Sequence, residues 1–186
     1  MLQETEKEEL LQLARSTLES HFSTGKVPEH HSVCKNLEAH KGAFVSLHTE
    51  GRLRGCIGQL TPDRELFKIV QSCVLSAALE DPRFSPVTEN EVADLDIEIS
   101  VLTPFQRLSD IGEIEIGKHG LLVTKGLHRG LLLPQVATEY GWDRETFVEQ
   151  TCRKAGLPET AWKDSGTMLY TFQAEVFSDK KPEEFE

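Results

Sequence analysis

One cysteine stands in an unusual sequence environment, the stretch Gly51-Arg52-Leu53-Arg54-Gly55-Cys56-Ile57-Gly58. Its apolar residues predict a β-strand, and glycine inside a strand indicates a bulge or a close approach by another backbone or a ligand. Because side chains alternate along a strand, Arg52, Arg54 and Cys56 are predicted to share one face. Two guanidinium groups beside a thiol favour its thiolate form.

One interpretation makes the stretch the active site of a cysteine-dependent enzyme that transfers an acyl or other group. Cys56 is then the nucleophile or covalent attachment point, and Arg52 and Arg54 bind an anionic group. His119, in a glycine-flanked loop, is the general acid or base. No local spacing brings His119 to Cys56, so the pairing rests on the fold.

A second interpretation makes the same residues a binding site. Gly55 and Gly58 then let a ligand or partner segment approach the backbone, and Cys56 is a small packing residue. Positively charged or imidazole side chains hold the negative groups of the ligand: Arg54, Lys118, His119 and Arg129. A purely structural strand with a buried, inert thiol is the third interpretation, since free cysteine is among the most buried residue types.

The cysteines give no sign of a metal site or a redox motif. Cys34, Cys56, Cys73 and Cys152 are far apart and none belongs to a C-x-x-C pair, so neither a zinc ribbon nor a thioredoxin-type motif is present. His30, His31 and Cys34 offer metal-ligating side chains, but without a fourth ligand at suitable spacing a polar loop is the favoured interpretation. We therefore predict neither a metal nor a cofactor.

Composition limits the classes of partner. The chain has 186 residues, 38% hydrophobic and 27% charged, with a net charge of −11, which is ordinary for a soluble domain. The acidic balance disfavours nucleic acid as a partner, because affinity for phosphates comes from Lys and Arg. No apolar run is long enough to cross a membrane, and Met1–Leu10 is too acidic for a signal peptide. These features predict a cytoplasmic protein.

Hydrophobic spacing predicts mixed helices and strands. An amphipathic helix opens at a Thr5–Glu8 capping box and ends near His21, and Thr61 and Pro62 begin a second, well-buried helix. Asp143 is predicted to cap a third helix that stops before Gly156. Alternating apolar residues or turn signals predict strands at 42–48, 51–60, 95–101, 121–124, 131–133 and 169–177.

These elements predict an α+β fold, because hairpin-paired strands mix with helices in no strict βαβ alternation. We expect a mixed or antiparallel sheet with flanking helices and two unequal subdomains. One subdomain is built on the Cys56 hairpin and its helix, the other on the strands between Lys118 and Leu133. The whole chain, 1–186, is predicted to be one domain that ends in a loose acidic tail, 179–186.

Several motifs resemble those of one family, the AMMECR family. Leu53-Arg54-Gly55-Cys56-Ile57-Gly58 resembles its signature hexapeptide without a departure. Other segments resemble family motifs in the same order: Gly42-Ala43-Phe44-Val45, Asp81-Pro82-Arg83-Phe84, Ile99-Ser100-Val101-Leu102, Gly117-Lys118-His119-Gly120-Leu121, Gly130-Leu131-Leu132-Leu133-Pro134-Gln135-Val136, Thr151-Cys152 and Lys154-Ala155-Gly156-Leu157-Pro158. The resemblance covers about residues 5–178. The chain resembles the stand-alone form of the family that is found in prokaryotes.

The resemblance implies a compact α+β unit of two unequal subdomains. It does not imply a particular biochemical activity, because the family has no settled one. Prokaryotic members of the family are often encoded with a Memo-like protein and a radical-SAM enzyme, which implies a shared pathway. We expect an accessory or binding role, in which the Leu53–Gly58 motif holds a small anionic molecule or a partner segment. The alternative is the cysteine-dependent enzyme with Cys56 and His119.

Overall fold

The computed structural model describes residues 1–32, 34–60 and 63–179. Its chain divides into two units, the first made of Met1–Val101 with Glu175–Glu186 and the second of Leu102–Ala174. Each unit contains one four-stranded antiparallel sheet with helices. The predicted α+β class is therefore confirmed. The single-domain boundary stays a prediction, and residues 180–186 of the predicted tail lie outside the described chain.

The first unit packs helices on one side of a sheet. The elements are α1 (Glu4–Thr24), α2 (Lys35–Glu38), β1 (Ala43–Thr49), β2 (Arg52–Gln59), α3 (Leu66–Leu79), a 3-10 helix (Glu89–Asp94), β3 (Asp96–Leu102) and β8 (Ala174–Ser178). The strands have the spatial order β2-β1-β3-β8, so β2 is an edge strand.

Helix α3 is the centre of the first core. Most of its residues are apolar and buried, because it packs against α1 as well as against β1 and β2. Alternate residues of β1 and β3 complete this core from the sheet, among them Val45, Leu47, Ile97 and Ile99. The other face of the sheet carries Phe44, Ser46 and His48 of β1, which are half-buried. We call this second surface the outer face.

The second unit has its own sheet and helices. The elements are β4 (Gln106–Arg107), a 3-10 helix (Ile111–Glu113), β5 (Gly120–Lys125), β6 (His128–Leu132), α4 (Pro134–Tyr140), α5 (Arg144–Lys154), a 3-10 helix (Glu159–Lys163) and β7 (Met168–Phe172). The strands have the spatial order β4-β7-β5-β6. Helix α5 packs against β5 and β6 and buries Phe147, Val148 and Cys152.

Three predicted boundaries are wrong. Helix α1 begins at Glu4, where the Glu6 carboxylate accepts a hydrogen bond from the Gln3 amide at 2.8 Å, and it continues to Thr24. Helix α3 begins at Leu66, and the predicted cap at residues 61 and 62 lies outside the described chain. The last strand is two strands, since the chain leaves one sheet at Phe172 and enters the other at Ala174.

Within the described ranges, no helix has both the length and the apolar character that a bilayer span requires.

The contact between β2 and α3 gives a stability prediction. A Cβ on Gly55 would overlap the carbonyl oxygen of Ala77 in α3, a backbone atom that cannot rotate away. Gly55→Ala should therefore lower the free energy of unfolding by about 3 kcal/mol, measured by urea denaturation. Gly166→Ala is the control, because a Cβ there meets no atom within 4 Å. Equal stability of the two variants would contradict this packing.

Candidate functional site

Cys56 lies on the outer face of the first sheet, on edge strand β2. Its cross-strand neighbour is Ser46 of β1, whose hydroxyl donates to the Cys56 sulfur at 3.2 Å. The next residue along this row is Glu98 of β3, which pairs with Ser46 from the other side. A thiol, a hydroxyl and a carboxylate therefore stand in one line across the outer face, and Cys56 itself is half-buried.

A β-bulge at Arg54 determines which side chains of β2 lie on the same face as the Cys56 thiol. Leu47 pairs with Gly55 and His48 pairs with Leu53, so Arg54 is the extra residue in β2. A bulge shifts the alternation of side chains by one residue. Leu53 therefore shares the outer face with Cys56, and Arg52 falls on the opposite side. The prediction that Arg52, Arg54 and Cys56 share one face is wrong.

The backbone of Cys56 is held by a buried carboxylate. Asp81 accepts a hydrogen bond from the Cys56 amide at 2.9 Å, and its side chain is only 2% exposed. Arg83 donates from Nε and Nη2 to the two carboxylate oxygens of Asp81, at 2.9 and 2.7 Å, and from Nη2 to the Cys56 carbonyl at 3.4 Å. The Arg83 guanidinium holds the pKa of Asp81 well below its usual range.

This carboxylate–guanidinium pair occupies the free edge of the sheet. An edge strand presents backbone N–H and C=O groups that have no neighbouring strand to bond. At Cys56 both groups point to the Asp81–Arg83 pair instead. We call this pair the edge latch, and it fixes the main chain at the position that carries the thiol.

Arg54 is also occupied within the fold. Its Nε and Nη2 donate to the two carboxylate oxygens of Glu91 at 2.8 and 3.3 Å. Its other contacts are the carbonyls of Ser85, at 2.8 Å, and Pro86, at 3.3 Å. Arg54 thus ties the loop after α3 to β2, and an anionic ligand would have to displace Glu91 from it.

Other atoms of the protein occupy the space beside Gly55 and Gly58 of the motif. The backbone of Ala77 occupies the space beside Gly55, and the ring of Phe44 lies over Gly58. The expectation that these glycines leave an opening for a ligand is not met at either residue. Their role in the structure is to let helix α3 and an outer-face aromatic ring approach β2 closely.

The outer face continues into a shallow groove near the hairpin turn. Its volume is about 190 Å³, and its lining includes His48, Asp96 and Glu98. His48 and Asp96 are cross-strand partners. The groove is too small for most drug-sized ligands, which occupy about 300–1,000 Å³, but it adds polar side chains to the face that carries Cys56.

Three predicted site residues belong to the second unit. His119 follows a turn in which its Nδ1 accepts a hydrogen bond from the Glu115 amide at 3.2 Å. Lys118 forms an exposed ion pair with Glu115 at 2.9 Å. Arg129 is exposed on β6, opposite Thr124 of β5. Cys56, Arg52 and Arg54 belong to the first unit.

The three remaining cysteines have thiol pKa values above the ordinary value. Burial raises the pKa of the Cys73 thiol to about 11 and also raises that of Cys152. Cys34 is half-exposed, and desolvation with the nearby Glu9 raises its pKa. Among residues 1–32, 34–60 and 63–179, no group of three or more His, Cys, Asp or Glu side chains is arranged to hold a metal ion.

Sequence reasoning missed the residues that hold the site: Ser46, Asp81, Arg83 and Glu91. In the sequence, Asp81 and Arg83 appear only as members of the Asp81-Pro82-Arg83-Phe84 motif that resembles a family segment. The feature that could have identified them is an acidic and a basic residue on either side of a proline, directly after a buried helix. Its partner, Cys56, lies 25 residues earlier in the chain, so spacing alone does not connect them.

A family model and several known proteins match nearly the whole chain. The AMMECR1 family model matches residues 11–177. A protein of Thermococcus onnurineus is 41% identical over 93% of this chain and 90% of its own length, and one of Methanothermobacter thermautotrophicus is 42% identical over 91% and 92%. The crystal structure of an uncharacterised protein from Pyrococcus horikoshii superposes with a TM-score of 0.87, at 40% identity over 94% of this chain and 92% of that one.

The edge latch gives a second stability prediction. Asp81→Asn removes the charge that pairs with Arg83, so we expect a loss of about 2 kcal/mol in the free energy of unfolding. Asp63→Asn is the matched control, because Asp63 pairs with Arg64 on the exposed surface and such pairs contribute about 0–1 kcal/mol. Urea denaturation of both variants measures the difference. A loss no larger in Asp81→Asn than in the control would show that the latch contributes little.

The Arg54–Glu91 pair predicts a dependence of stability on pH. Hydrogen bonds from Arg54 and from the Thr88 amide lower the pKa of Glu91 from 4.5 to about 2. A lowered carboxyl pKa stabilises the fold above the ordinary value, and this contribution is lost as pH falls through the folded value. Stability should therefore decline between about pH 5 and pH 2, and Glu91→Gln should flatten that decline.

Glu89→Gln is the control for this titration, since Glu89 is an exposed neighbour in the same 3-10 helix. It should follow the wild-type dependence on pH. Urea midpoints measured across the acid range give the comparison, and a Glu91→Gln slope that matches the wild type would contradict the assigned role of the pair.

Proposed function

The chain belongs to the AMMECR1 family, and we propose that it acts as an accessory binding component. The Leu53–Gly58 motif and the outer face around Cys56 hold a small anionic molecule or a segment of a partner protein. The observation that carries the proposal is the half-exposed Cys56 thiol on a strand whose backbone is fixed by the edge latch. A rigid main chain presents the thiol and its neighbours at little further entropic cost on binding.

The positive charge for an anionic ligand comes from Arg83 in this proposal. Its side chain is 56% exposed, and its Nη1 group has no hydrogen-bond partner within the described ranges. Arg54 contributes less, because its contacts are made within the fold. In this proposal Arg83 takes the anion-binding role beside Cys56 that the sequence predicts for Arg52 and Arg54.

A binding role agrees better with the histidine geometry than nucleophilic catalysis does. The Glu115 amide donates to His119 Nδ1, so the neutral ring carries its proton on Nε2. In this arrangement Nε2 is a hydrogen-bond donor. The lone pair on Nδ1, which a general base would use to take a proton, already accepts the Glu115 amide. His119 therefore suits a contact to a negative group, as do Lys118 and Arg129 on the second unit.

The cysteine-dependent enzyme remains the second candidate because of one contact. The Ser46 hydroxyl donates to the Cys56 sulfur, which orients the thiol on the outer face. In this candidate the Cys56 sulfur attacks the transferred group of a donor substrate as the leaving group of that donor departs, and an acceptor then takes the group and releases the thiol.

The partners in this proposal are those that the family resemblance implies, a Memo-like protein and a radical-SAM protein, acting with this chain in the cytoplasm. All four cysteines are free thiols in the structure, which suits a reducing compartment. Nucleic acid and membrane surfaces are not proposed as partners.

Alkylation tests whether the thiol is presented as described. In a Cys34→Ser background, one equivalent of iodoacetamide should label Cys56, with Cys73 and Cys152 unlabelled because they are buried. Tryptic mass spectrometry identifies the labelled site. Labelling of Cys73 or Cys152 at the same rate as Cys56 would contradict the assigned exposure.

Binding tests the function itself. A Memo-like and a radical-SAM protein from the same genome are purified and titrated against the immobilised chain. We expect each partner that binds to lose at least about tenfold in affinity with Arg83→Met, which removes a charge-assisted contact. Binding should also protect Cys56 from alkylation. Cys34→Ser is the control and should bind as the wild type does. No binding by either protein, or binding without protection of Cys56, would overturn the proposed role of this face.

A further inference from the structure

One edge of the second sheet is formed by β6, the last strand in the order β4-β7-β5-β6. The strand belongs to the second unit, whereas the outer face around Cys56 belongs to the first. It pairs with β5 in an unbroken register from His128 to Leu132, without a bulge and without a proline. Such devices, or a covering element, usually protect sheet edges, because the unpaired main chain of an edge can accept another strand.

The turn between β5 and β6 determines which main-chain groups are free. Lys125 and His128 flank a two-residue hairpin turn, in which Gly126 has a φ of 58°. The residues that close such a turn form a hydrogen-bonded pair, and bonded and non-bonded pairs alternate from there along the strands. Arg129 and Leu131 therefore occupy non-bonded positions, so their N–H and C=O groups point away from β5.

These four main-chain groups, the N–H and C=O of Arg129 and of Leu131, are here called the β6 edge. None of them has a hydrogen-bond partner among the described residues. Helix α5 covers a face of β6, where backbone atoms of Thr151 and Ala155 occupy the space beside Gly130. An added strand bonds to donor and acceptor groups that are spaced in this way along an edge.

Two unpaired cations accompany the β6 edge. The Arg129 side chain is exposed on the strand itself, and the exposed Lys154 directly precedes Ala155, whose amide nitrogen lies beside Gly130. Neither cation forms an ion pair with any residue that the structure describes. Unpaired positive charge stands out in a chain of net charge −11.

The acidic residues around this end of the unit already have cationic partners. Asp164 pairs with Lys125 at 2.6 Å, and Glu159 pairs with Arg153 at 3.2 Å. Glu149 lies one helical turn before Arg153 and so shares that face of α5. The charge left over at the β6 edge is therefore positive.

We propose that the β6 edge binds an extended segment of another protein, which adds an antiparallel fifth strand to the second sheet. The main chain of the segment bonds to Arg129 and Leu131. Side chains of directly opposed residues lie on the same face and contact each other. The residue opposite Arg129 is therefore acidic, and the residue opposite Leu131 is apolar.

The direction of the added strand gives the segment a defined order. An antiparallel strand reaches Leu131 before it reaches Arg129, and the two opposing residues are separated by one residue. The segment consequently has the sequence pattern apolar, any residue, acidic, from its N-terminus to its C-terminus.

A second copy of this chain fits the β6 edge less well than an acidic segment does. Antiparallel pairing of two β6 strands would bring two copies of Arg129 and two of Lys154 to one interface. Like charges across a strand pair or an interface oppose association. An acidic segment instead places an opposite charge beside these cations.

A peptide library tests the proposal. Random heptapeptides on phage are panned on the full-length chain, and enriched peptides are resynthesised with a fluorescein label for fluorescence anisotropy. We expect enrichment of the pattern apolar, any residue, acidic. Arg129→Glu should weaken these peptides at least about tenfold, because it replaces a charge-assisted contact by repulsion. Replacing the acidic residue of the peptide by lysine should restore binding to this variant.

Two variants are controls for the charge reversal. Lys26→Glu is the matched one, because Lys26 is also exposed and has no ion pair among the described residues, but belongs to the first unit. Arg83→Met should bind the peptides as the wild type does. The outcome at the β6 edge is therefore independent of the role proposed for the outer face.

Backbone methylation tests the strand addition itself. In the proposed register, the peptide nitrogens opposite Arg129 and Leu131 donate to the β6 edge, while the nitrogen between them points away. N-methylation at either of the two opposing residues should abolish binding, and methylation of the residue between them should have little effect.

Four outcomes overturn the proposal. The first is panning without enrichment of the apolar, any residue, acidic pattern. The second is an Arg129→Glu variant that binds the enriched peptides as tightly as Lys26→Glu does. The third is loss of peptide binding in Arg83→Met, which would assign the peptides to the outer face. The fourth is self-association in sedimentation that Arg129→Glu abolishes, which would assign the edge to a second copy of this protein.

Discussion

One buried carboxylate holds the motif strand in place. Asp81 accepts the Cys56 amide and both nitrogens of the Arg83 fork, while Arg83 reaches back to the Cys56 carbonyl. A carboxylate that is 2% exposed is costly to bury without partners, and here each oxygen has an ionic or backbone partner. The strand at the edge of the sheet therefore has a fixed main chain without a neighbouring strand on that side.

The composition of the motif follows from this constraint. Gly55 is required because α3 lies directly against β2, and Gly58 is required because Phe44 lies over it. The bulge at Arg54 sends that guanidinium to Glu91 and the loop carbonyls instead of to the outer face. The motif side chains that remain on the outer face are Leu53 and Cys56, with Cys56 bonded to Ser46 and Glu98 in the same row. Most of the hexapeptide thus builds the strand, and the Cys56 thiol lies half-buried on the outer face.

The sequence alone predicted local structure well and the site less well. The hairpin, the buried helix after it and the helix capped by Asp143 follow from periodicity and capping within a few residues. The bulge at Arg54 leaves no such signal, because any residue type can be the extra one, and it reversed the predicted face of Arg52. The Asp81 and Glu91 contacts join residues 25 and 37 positions apart, beyond the reach of spacing arguments. Gly55 was correctly identified as a close approach, but the approaching group is the protein's own helix.

Hydrogen exchange at the Cys56 amide tests the central interaction most directly. This amide faces away from β1 on an edge strand, where an unbonded N–H exchanges rapidly with solvent. The Asp81 carboxylate should instead protect it as strongly as the amides of β1 inside the sheet, measured by NMR on the native protein, and Asp81→Asn should remove that protection selectively. A Cys56 amide that exchanges as fast as those of the β1–β2 turn would show that the carboxylate does not hold the strand.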